Sequence, residues 1–205
     1  MTTKRIFISA DHGMAIVYFL QSDVAPTILD AGIEVVLLTD EGLREQIVKK
    51  FGRNGLIVEG LRLTEARKYF NEVSSTEQWW LNFLRRVGGS NRINMEAMQS
   101  HVQQVDFEAV GKRRALMPIM KAVVGLLRRS RIARRAIVSR QMRHSPDLYS
   151  DLLDKYKPDL VVASTPGWRL DRYLMRQAVK RGIPTAAVIV GWDNPSSYSI
   201  PGAPV

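Results

Sequence analysis

The sequence predicts an α/β domain built on a parallel sheet and interrupted by a long helical segment. Short runs rich in β-branched residues alternate with longer helical stretches towards both ends of the chain, a pattern typical of βαβ units. The middle, about residues 64–144, has helical composition without strand signals. The 205 residues, 45% of them hydrophobic, suffice for one sizeable core. We therefore expect a single domain over 1–205 with a helical insertion at about 64–144.

The amino-terminal part of the chain predicts three strands separated by two helices. In chain order these are a strand over Arg5–Ala10, a helix over Met14–Ala31, a strand over Ile33–Thr39, a helix from the N-cap Asp40 to Phe51 and a strand over Leu56–Glu59. Gly32 suits the end of the first helix, because glycine tolerates the left-handed conformation common there. The second strand is apolar on both faces, as a buried parallel strand requires.

The same alternation returns near the carboxyl end. The expected elements are a helix over Asp147–Tyr156, a strand over Asp159–Ser164, a helix over Gly167–Arg181 and a strand over Pro184–Val190. Pro158 stops the first of these helices and Gly182 ends the second. Two βα arrays therefore flank the helical middle.

Composition excludes several kinds of site. The chain has no cysteine, so disulfides, thiolate zinc sites and cysteine nucleophiles are absent. Its three histidines, His12, His101 and His144, are too far apart for a metal motif, and we expect neither a metal nor a cofactor. The apolar run Ile6–Ala10 is too short for a secretory signal, which favours a cytoplasmic protein, free or peripheral on the inner face of the membrane.

The positive charge of the chain is concentrated in one segment. The net charge is +10, with thirty Lys and Arg against twenty Asp and Glu. Between Ala109 and Pro146 there are eleven Lys and Arg and no acidic residue, so nineteen basic residues face twenty acidic ones elsewhere. The basicity belongs to this segment and not to the chain as a whole.

The basic segment also contains a nearly continuous apolar run, Ala115–Leu127. The arginines that follow it are Arg128, Arg129, Arg131, Arg134 and Arg135. The run is too short to span a bilayer, and its arginine flank is typical of a helix lying on anionic lipid. A core helix followed by a solvated basic helix would give the same pattern. Nucleic acid is a less favoured partner, because no RNA-binding signature or interleaved aromatic residue accompanies the arginines.

Three loops at the carboxyl ends of expected strands carry candidate site residues, since ligands of open parallel sheets bind at that edge. The loop after the first strand lacks the glycine spacing of dinucleotide-binding and phosphate-binding loops, which disfavours a nicotinamide or ATP site. In it, His12 is a candidate general base oriented by Asp11, with Gly13 beside the substrate. Alternatively, His12 merely caps the turn and Asp11 is the helix N-cap. In the loop after the fourth strand, Ser164 and Thr165 precede a helix start.

Free backbone N–H groups at that helix start suit an anion or a hydroxyl-rich ligand, although an ordinary helix cap has the same residues. A third loop follows the last strand and places Trp192, Asp193, Asn194 and Ser196 within a few residues. Its indole can stack on a ring, and its polar groups can bond several hydroxyls. A capped turn is the simpler interpretation of the same residues.

This third loop carries a resemblance to a known family. The stretch Trp192-Asp193-Asn194-Pro195-Ser196-Ser197, placed after an apolar strand, resembles the WDN-(L/P)-(T/S)-S stretch of bacterial GT-B type transferases. It is most similar to that of CDP-glycerol glycerophosphotransferase-like enzymes of surface-polysaccharide synthesis. The resemblance covers Lys4–Gly13 and Pro158–Ser199. It implies the Rossmann-like amino-terminal half of the fold, which mainly holds the acceptor, while a second domain holds the nucleotide-activated donor.

The function that follows is that of the acceptor-binding half of a glycosyl- or glycerophosphate-transferase. The resemblance implies a sugar or polyol acceptor, free or lipid-linked, whose hydroxyl His12 would deprotonate. It also implies a donor held by a domain absent from this chain, with the linker to it beginning at about 199–205. Two alternatives stay open: a stand-alone membrane-associated binding or scaffold module, and a sugar-nucleotide epimerase-like domain.

Overall fold

The structure, a computed structural model, describes residues 3–72, 76–93, 95–189 and 200–205. Its contacts divide the chain into two compact units. The described part of the first comprises residues 3–72, 145–188 and 203–205, and that of the second comprises 76–93, 95–144, 189 and 200–202.

The elements alternate as the βαβ pattern predicts. The strands are β1 Arg5–Ala10, β2 Glu34–Thr39, β3 Leu56–Gly60, β4 Leu160–Ala163 and β5 Thr185–Ala187. The α-helices are α1 Gly13–Ile16, α2 Val24–Asp30, α3 Arg44–Phe51, α4 Leu63–Glu72, α5 Thr76–Val87, α6 Glu96–Glu108, α7 Gly111–Arg129, α8 Arg131–Gln141, α9 Ser150–Tyr156 and α10 Arg172–Lys180. A π-helical turn, Val17–Gln21, follows α1, and a 3-10 turn, Glu41–Leu43, precedes α3.

The five strands form one parallel sheet in the order β3-β2-β1-β4-β5. β1 lies at the centre, where Ile6 pairs with Val35 of β2 on one side and with Leu160 of β4 on the other. The strand order reverses between β1 and β4, as in Rossmann-like sheets. The prediction of an α/β fold with a parallel sheet is confirmed.

Helices cover both faces of this sheet, because successive strand residues point to opposite sides. On one face, Phe7 of β1 and Leu38 of β2 pack with residues of α4, α9 and α10, among them Ala66, Leu153 and Leu174. On the other face, Ile8 and Leu37 pack with residues from the first three helices and the π-helical turn, among them Ala15, Phe19, Ala25 and Ile47.

The single helix expected over Met14–Ala31 is instead interrupted at Ser22 and Asp23. Pro26 explains the interruption, because its ring would clash with the carbonyl of residue 22 in a continuous helix. Ser22 is extended, and its hydroxyl accepts a 3.3 Å hydrogen bond from the Val24 backbone N–H at the start of α2. The chain thus restarts its helix with proline in the first turn.

The carboxyl-terminal elements are shorter than the pattern predicts. α9 begins at Ser150 instead of Asp147, and β5 ends at Ala187. The largest difference is in the helix expected from Gly167, which begins only at Arg172. Residues 164–171 form an irregular loop that is buried except at Arg169 and Leu170, and in it Gly167 has φ 71°, outside the helical range. This loop borders the candidate site.

The second unit consists of α5, α6, α7 and α8 in its described residues, around a core of its own. Trp80, Phe83, Met117 and Leu127 belong to that core. A 2.5 Å ion pair between Glu77 Oε1 and Arg140 Nε joins the first turn of α5 to the last turn of α8. Helix α4, which the expected insertion of about 64–144 included, packs into the sheet core of the first unit.

A test of the sheet core uses two fully buried tyrosines. The Tyr149 hydroxyl donates a 2.7 Å hydrogen bond to the Leu61 carbonyl, whereas the Tyr173 hydroxyl has no hydrogen-bond partner in the described part of the chain. We expect Tyr149→Phe to lower the free energy of unfolding by about 1–2 kcal/mol, because the Leu61 carbonyl is left unsatisfied. Tyr173→Phe, the matched control, should leave it unchanged or raise it. Equal losses in urea unfolding would contradict this assignment.

Candidate functional site

The candidate site lies where the strand order reverses, at the carboxyl ends of β1 and β4. Ser9 of β1 pairs with Ala163 of β4, so the loops that follow the two strands leave the sheet side by side. One loop holds Asp11 and His12, and the other holds residues 164–171. This reversal point is where open α/β sheets bind their ligands.

Asp11 joins the two loops. Its side chain is only 2% exposed. The Oδ1 atom accepts a 2.9 Å hydrogen bond from the Ser164 hydroxyl, and the Oδ2 atom accepts a 2.8 Å bond from Arg169 Nε. The Oδ1 atom also lies 2.9 Å from His12 Nδ1. Buried carboxylates need such partners, because burial without them is costly.

His12 occupies the N-cap position of α1, but its side chain makes no capping hydrogen bond. Its ring is turned to Asp11 instead, and 27% of its side chain is exposed. When Asp11 Oδ1 accepts this bond, Nδ1 carries the hydrogen and Nε2 is the ring nitrogen left to take up a proton. The alternative in which Asp11 caps the helix does not match this geometry. The pair has the arrangement of a histidine base oriented by a carboxylate.

Tyr18 supports the same two loops from the π-helical turn. Its hydroxyl donates a 3.1 Å hydrogen bond to the Ser164 carbonyl. Its ring meets the His12 ring edge to face, with centroids 6.3 Å apart. Burial, with the Asp11 carboxylate nearby, raises the pKa of Tyr18 to about 12, so the phenol stays protonated and donates.

A second buried carboxyl, Asp171, organises the loop after β4. The Thr165 hydroxyl donates a 2.9 Å hydrogen bond to Asp171 Oδ2 and accepts a 3.1 Å bond from the Trp168 backbone N–H. Asp171 Oδ1 is buried without a hydrogen-bond partner among the described residues. Burial and the Asp11 carboxylate raise the pKa of Asp171 to about 7. The Asp171 carboxyl is therefore partly protonated near neutral pH.

An open cleft of about 290 Å³ adjoins Asp11. It is lined by Asp11, Leu63, Arg67, Phe70, Trp168, Arg169, Leu170 and Arg172. Three guanidinium groups and one carboxylate give it a net positive charge, and two aromatic side chains provide flat apolar surface. Such a cleft suits an anionic ligand with an apolar or ring-shaped part.

The sequence-predicted site residues are brought together only in part. Asp11, His12, Ser164 and Thr165 meet at the reversal point. Gly13 begins α1 beside them, and a Cβ atom there would meet nothing within 4 Å. The predicted residues Trp192, Asp193, Asn194 and Ser196 lie outside the described residues.

Four residues of this region were not predicted. They are Arg67, Arg169, Asp171 and Arg172. Arg169 and Asp171 fall in a segment expected to be helical, and Arg67 lies three residues inside the expected insertion. An acidic residue ahead of a helix is an ordinary N-cap signal, so nothing local marks Asp171 as a buried carboxyl.

The arginines predicted to contact a membrane divide into two groups. Arg128 Nε donates to the Val87 carbonyl at 3.2 Å, and Arg134 Nη1 donates to the Leu127 carbonyl at 2.6 Å, so both stabilise the second unit internally. Arg129, Arg131 and Arg135 are exposed. No ion pair of these three is found in the described part of the chain.

The comparisons with known proteins identify no relative: no family model matches the chain, and neither a curated protein nor a solved structure is significantly similar to it. Within the ranges that the structure describes, no group of three or more His, Cys, Asp or Glu is arranged to hold a metal ion. None of the helices described is long and apolar enough to cross a membrane. What the chain does must therefore be inferred from the cleft and its loops.

The raised pKa of Asp171 predicts a pH-dependent stability. The folded state binds the Asp171 proton more tightly than the unfolded chain does. The contribution of this proton to the free energy of unfolding is therefore complete below about pH 4 and is lost as the pH rises through about 7. Asp171→Asn keeps an acceptor for Thr165 and should remove this loss. At pH 8 we expect the free energy of unfolding of the variant to exceed that of the parent by about 1–4 kcal/mol. At pH 4 the two values should be similar. Parallel stability curves would contradict this, and Asp30→Asn on α2 is the exposed control.

Proposed function

We propose that this chain is the acceptor-binding half of a GT-B type glycosyl- or glycerophosphate-transferase in cell-surface polysaccharide synthesis. The Asp11–His12 pair at the reversal point of the sheet is the observation that supports this most. It places a solvent-accessible imidazole against a buried carboxylate, beside a cleft that can hold a small ligand. The donor would be held by a second domain, as the WDN resemblance implies.

In this mechanism His12 acts as general base. Its Nε2 takes the proton from an acceptor hydroxyl while that oxygen forms a bond to the donor's sugar carbon or phosphorus and the nucleotide departs. Asp11 holds the ring in the required tautomer and stabilises the imidazolium that forms. Ser164 and Arg169 in turn fix both oxygens of Asp11. Asp11 can therefore orient the base because its own side chain is fixed by these two hydrogen bonds.

Replacing His12 tests this role. In the two-domain form, His12→Gln should lower kcat by about 10²–10⁴, the usual contribution of a general base. Asp11→Asn should lower kcat too, because an amide can hold the ring in the wrong tautomer. The matched control is His101→Gln on α6, which should leave kcat unchanged. Turnover that survives His12→Gln would remove His12 as the base, and epimerisation of the sugar nucleotide without transfer would favour the epimerase-like alternative.

We propose further that the second unit lies on anionic lipid. Apolar side chains there are exposed beside cations: Ile119 and Leu126, seven residues apart on one face of α7, are 58% and 59% exposed, and Ile132 of α8 is 81% exposed. Lys112 and Arg129 flank the two α7 residues along that helix, and both are exposed. Interleaved apolar and cationic groups suit an interface with both acyl chains and phosphates. A purely phosphate-binding surface, as for nucleic acid, has no use for the exposed isoleucines.

Vesicle flotation tests this surface. The chain should float with vesicles containing phosphatidylglycerol and remain behind with phosphatidylcholine alone. The triple change Arg129→Gln, Arg131→Gln and Arg135→Gln should weaken binding at least about tenfold, since each cation contributes on the order of 1 kcal/mol. Lys49→Gln, Lys50→Gln and Lys68→Gln remove the same charge from the first unit and should have little effect. Binding to a DNA duplex at physiological salt without vesicle binding would contradict the lipid assignment.

A further inference from the structure

Arg172 is a buried cation that interacts electrostatically with the buried Asp171 carboxyl but makes no ion pair with it. It is 6% exposed, and its guanidinium stacks on the Phe70 and Tyr173 rings at 5.3 Å and 5.2 Å from their centroids. No carboxylate lies within ion-pair distance of it in the described part of the chain. The side chain nevertheless lines the cleft next to Asp11. A desolvated guanidinium is costly unless an anion balances it.

Two further guanidinium groups line the same cleft. Arg67 on α4 is exposed and makes no ion pair among the described residues. Arg169 uses Nε for Asp11, and its two terminal nitrogens make no further hydrogen bond in that part of the chain. Three arginines against the single lining carboxylate leave a charge of about +2. A phosphate monoester carries about −1.5 to −2 at neutral pH.

We propose that this arginine cleft binds the phosphate group of a phosphorylated acceptor, such as a polyol phosphate. The inference rests on the proposed transferase function and specifies its substrate class. Arginine is suited to this group, because its planar fork bonds two phosphate oxygens at once. The phosphate bound by Arg67, Arg169 and Arg172 leaves the polyol carbons to extend along Trp168 and Phe70. Asp11 borders the cleft, and its Oδ1 atom lies 2.9 Å from His12 Nδ1, so the proposed base adjoins a residue that lines the cleft.

The volume and the position of the carboxylate support a small phosphorylated molecule. About 290 Å³ accommodates a phosphate with a short polyol, and it lies at the lower limit of pockets that hold drug-sized ligands. Asp11 Oδ2 is bonded to Arg169 Nε at 2.8 Å, which leaves the terminal nitrogens of Arg169 and the guanidinium groups of Arg67 and Arg172 to bind the phosphate. The Asp11 carboxylate repels a second anionic group, so the part of the acceptor beyond its phosphate is neutral and bears hydroxyls.

Calorimetric titration of the chain with glycerol 3-phosphate, inorganic phosphate, glycerate and glycerol tests the proposal. Glycerol 3-phosphate should bind at least tenfold more tightly than glycerol and more tightly than glycerate, and inorganic phosphate should compete with it. Arg172→Met, which keeps contact with the aromatic rings, should weaken binding about 10–100-fold. Arg67→Gln, on the exposed side, should weaken it about 3–10-fold without affecting folding. Arg53→Met, outside the cleft, should have no effect.

The results separate this proposal from the transferase proposal. Equal binding of glycerol and glycerol 3-phosphate, or unchanged binding in both Arg172→Met and Arg67→Gln, overturns the phosphate cleft. Tighter binding of glycerate overturns phosphate in favour of a carboxylate. If the cleft fails but the two-domain form still glycosylates a neutral polyol in a His12-dependent way, the transferase function stands. If phosphate binds as expected but no transfer depends on His12, the cleft stands and the transferase function falls.

Discussion

The candidate site depends on one carboxyl group, that of Asp11, whose side chain is almost completely shielded from water. An isolated buried carboxylate would cost several kcal/mol or take up a proton, so its surroundings must supply donors. Ser164 and Arg169 reach it from a loop more than 150 residues away in sequence. The sheet makes this possible, because β4 pairs with β1 and brings the two loops to the same edge. The His12 ring and the Arg169 guanidinium both make their contacts in this region with the Asp11 carboxyl.

Much of the fold could be predicted from local pattern. The strand Arg5–Ala10 has the same bounds in the sequence prediction and in the structure. Asp40 caps the turn ahead of α3, as predicted for an N-cap, by accepting a 2.9 Å hydrogen bond from the Gly42 backbone N–H. These elements are decided by β-branched runs and capping residues, which are local signals. The boundaries that failed were decided by tertiary contacts. The helix expected from Gly167 begins only at Arg172, because the Thr165–Asp171 hydrogen bond holds the preceding residues in an irregular loop.

The candidate site was predictable in position but not in electrostatics. Strand ends of a parallel sheet converge, so pointing to Asp11, His12, Ser164 and Thr165 required only the strand assignments. The arginines that line the cleft could not be predicted in this way. Arg172 begins a helix whose residues up to Ala178 are buried, including two arginines and a glutamine, and no hydrophobic periodicity indicates such burial. Which charges lie in a cleft depends on the neighbours that the fold supplies, and α4 supplies Arg67 from about one hundred residues away.

The contact between Glu77 and Arg140 shows that the helical segment brings its own two ends close together. β1 cannot pair with β4 until about 150 residues between them have been arranged, and such long-range pairings slow folding. Glu77 and Arg140 lie near the two ends of the intervening helical segment and are held 2.5 Å apart. A segment that folds first and brings its own ends together shortens the stretch of chain that must close. By bringing residues 77 and 140 together, the helical unit shortens the loop that must close when β1 and β4 pair.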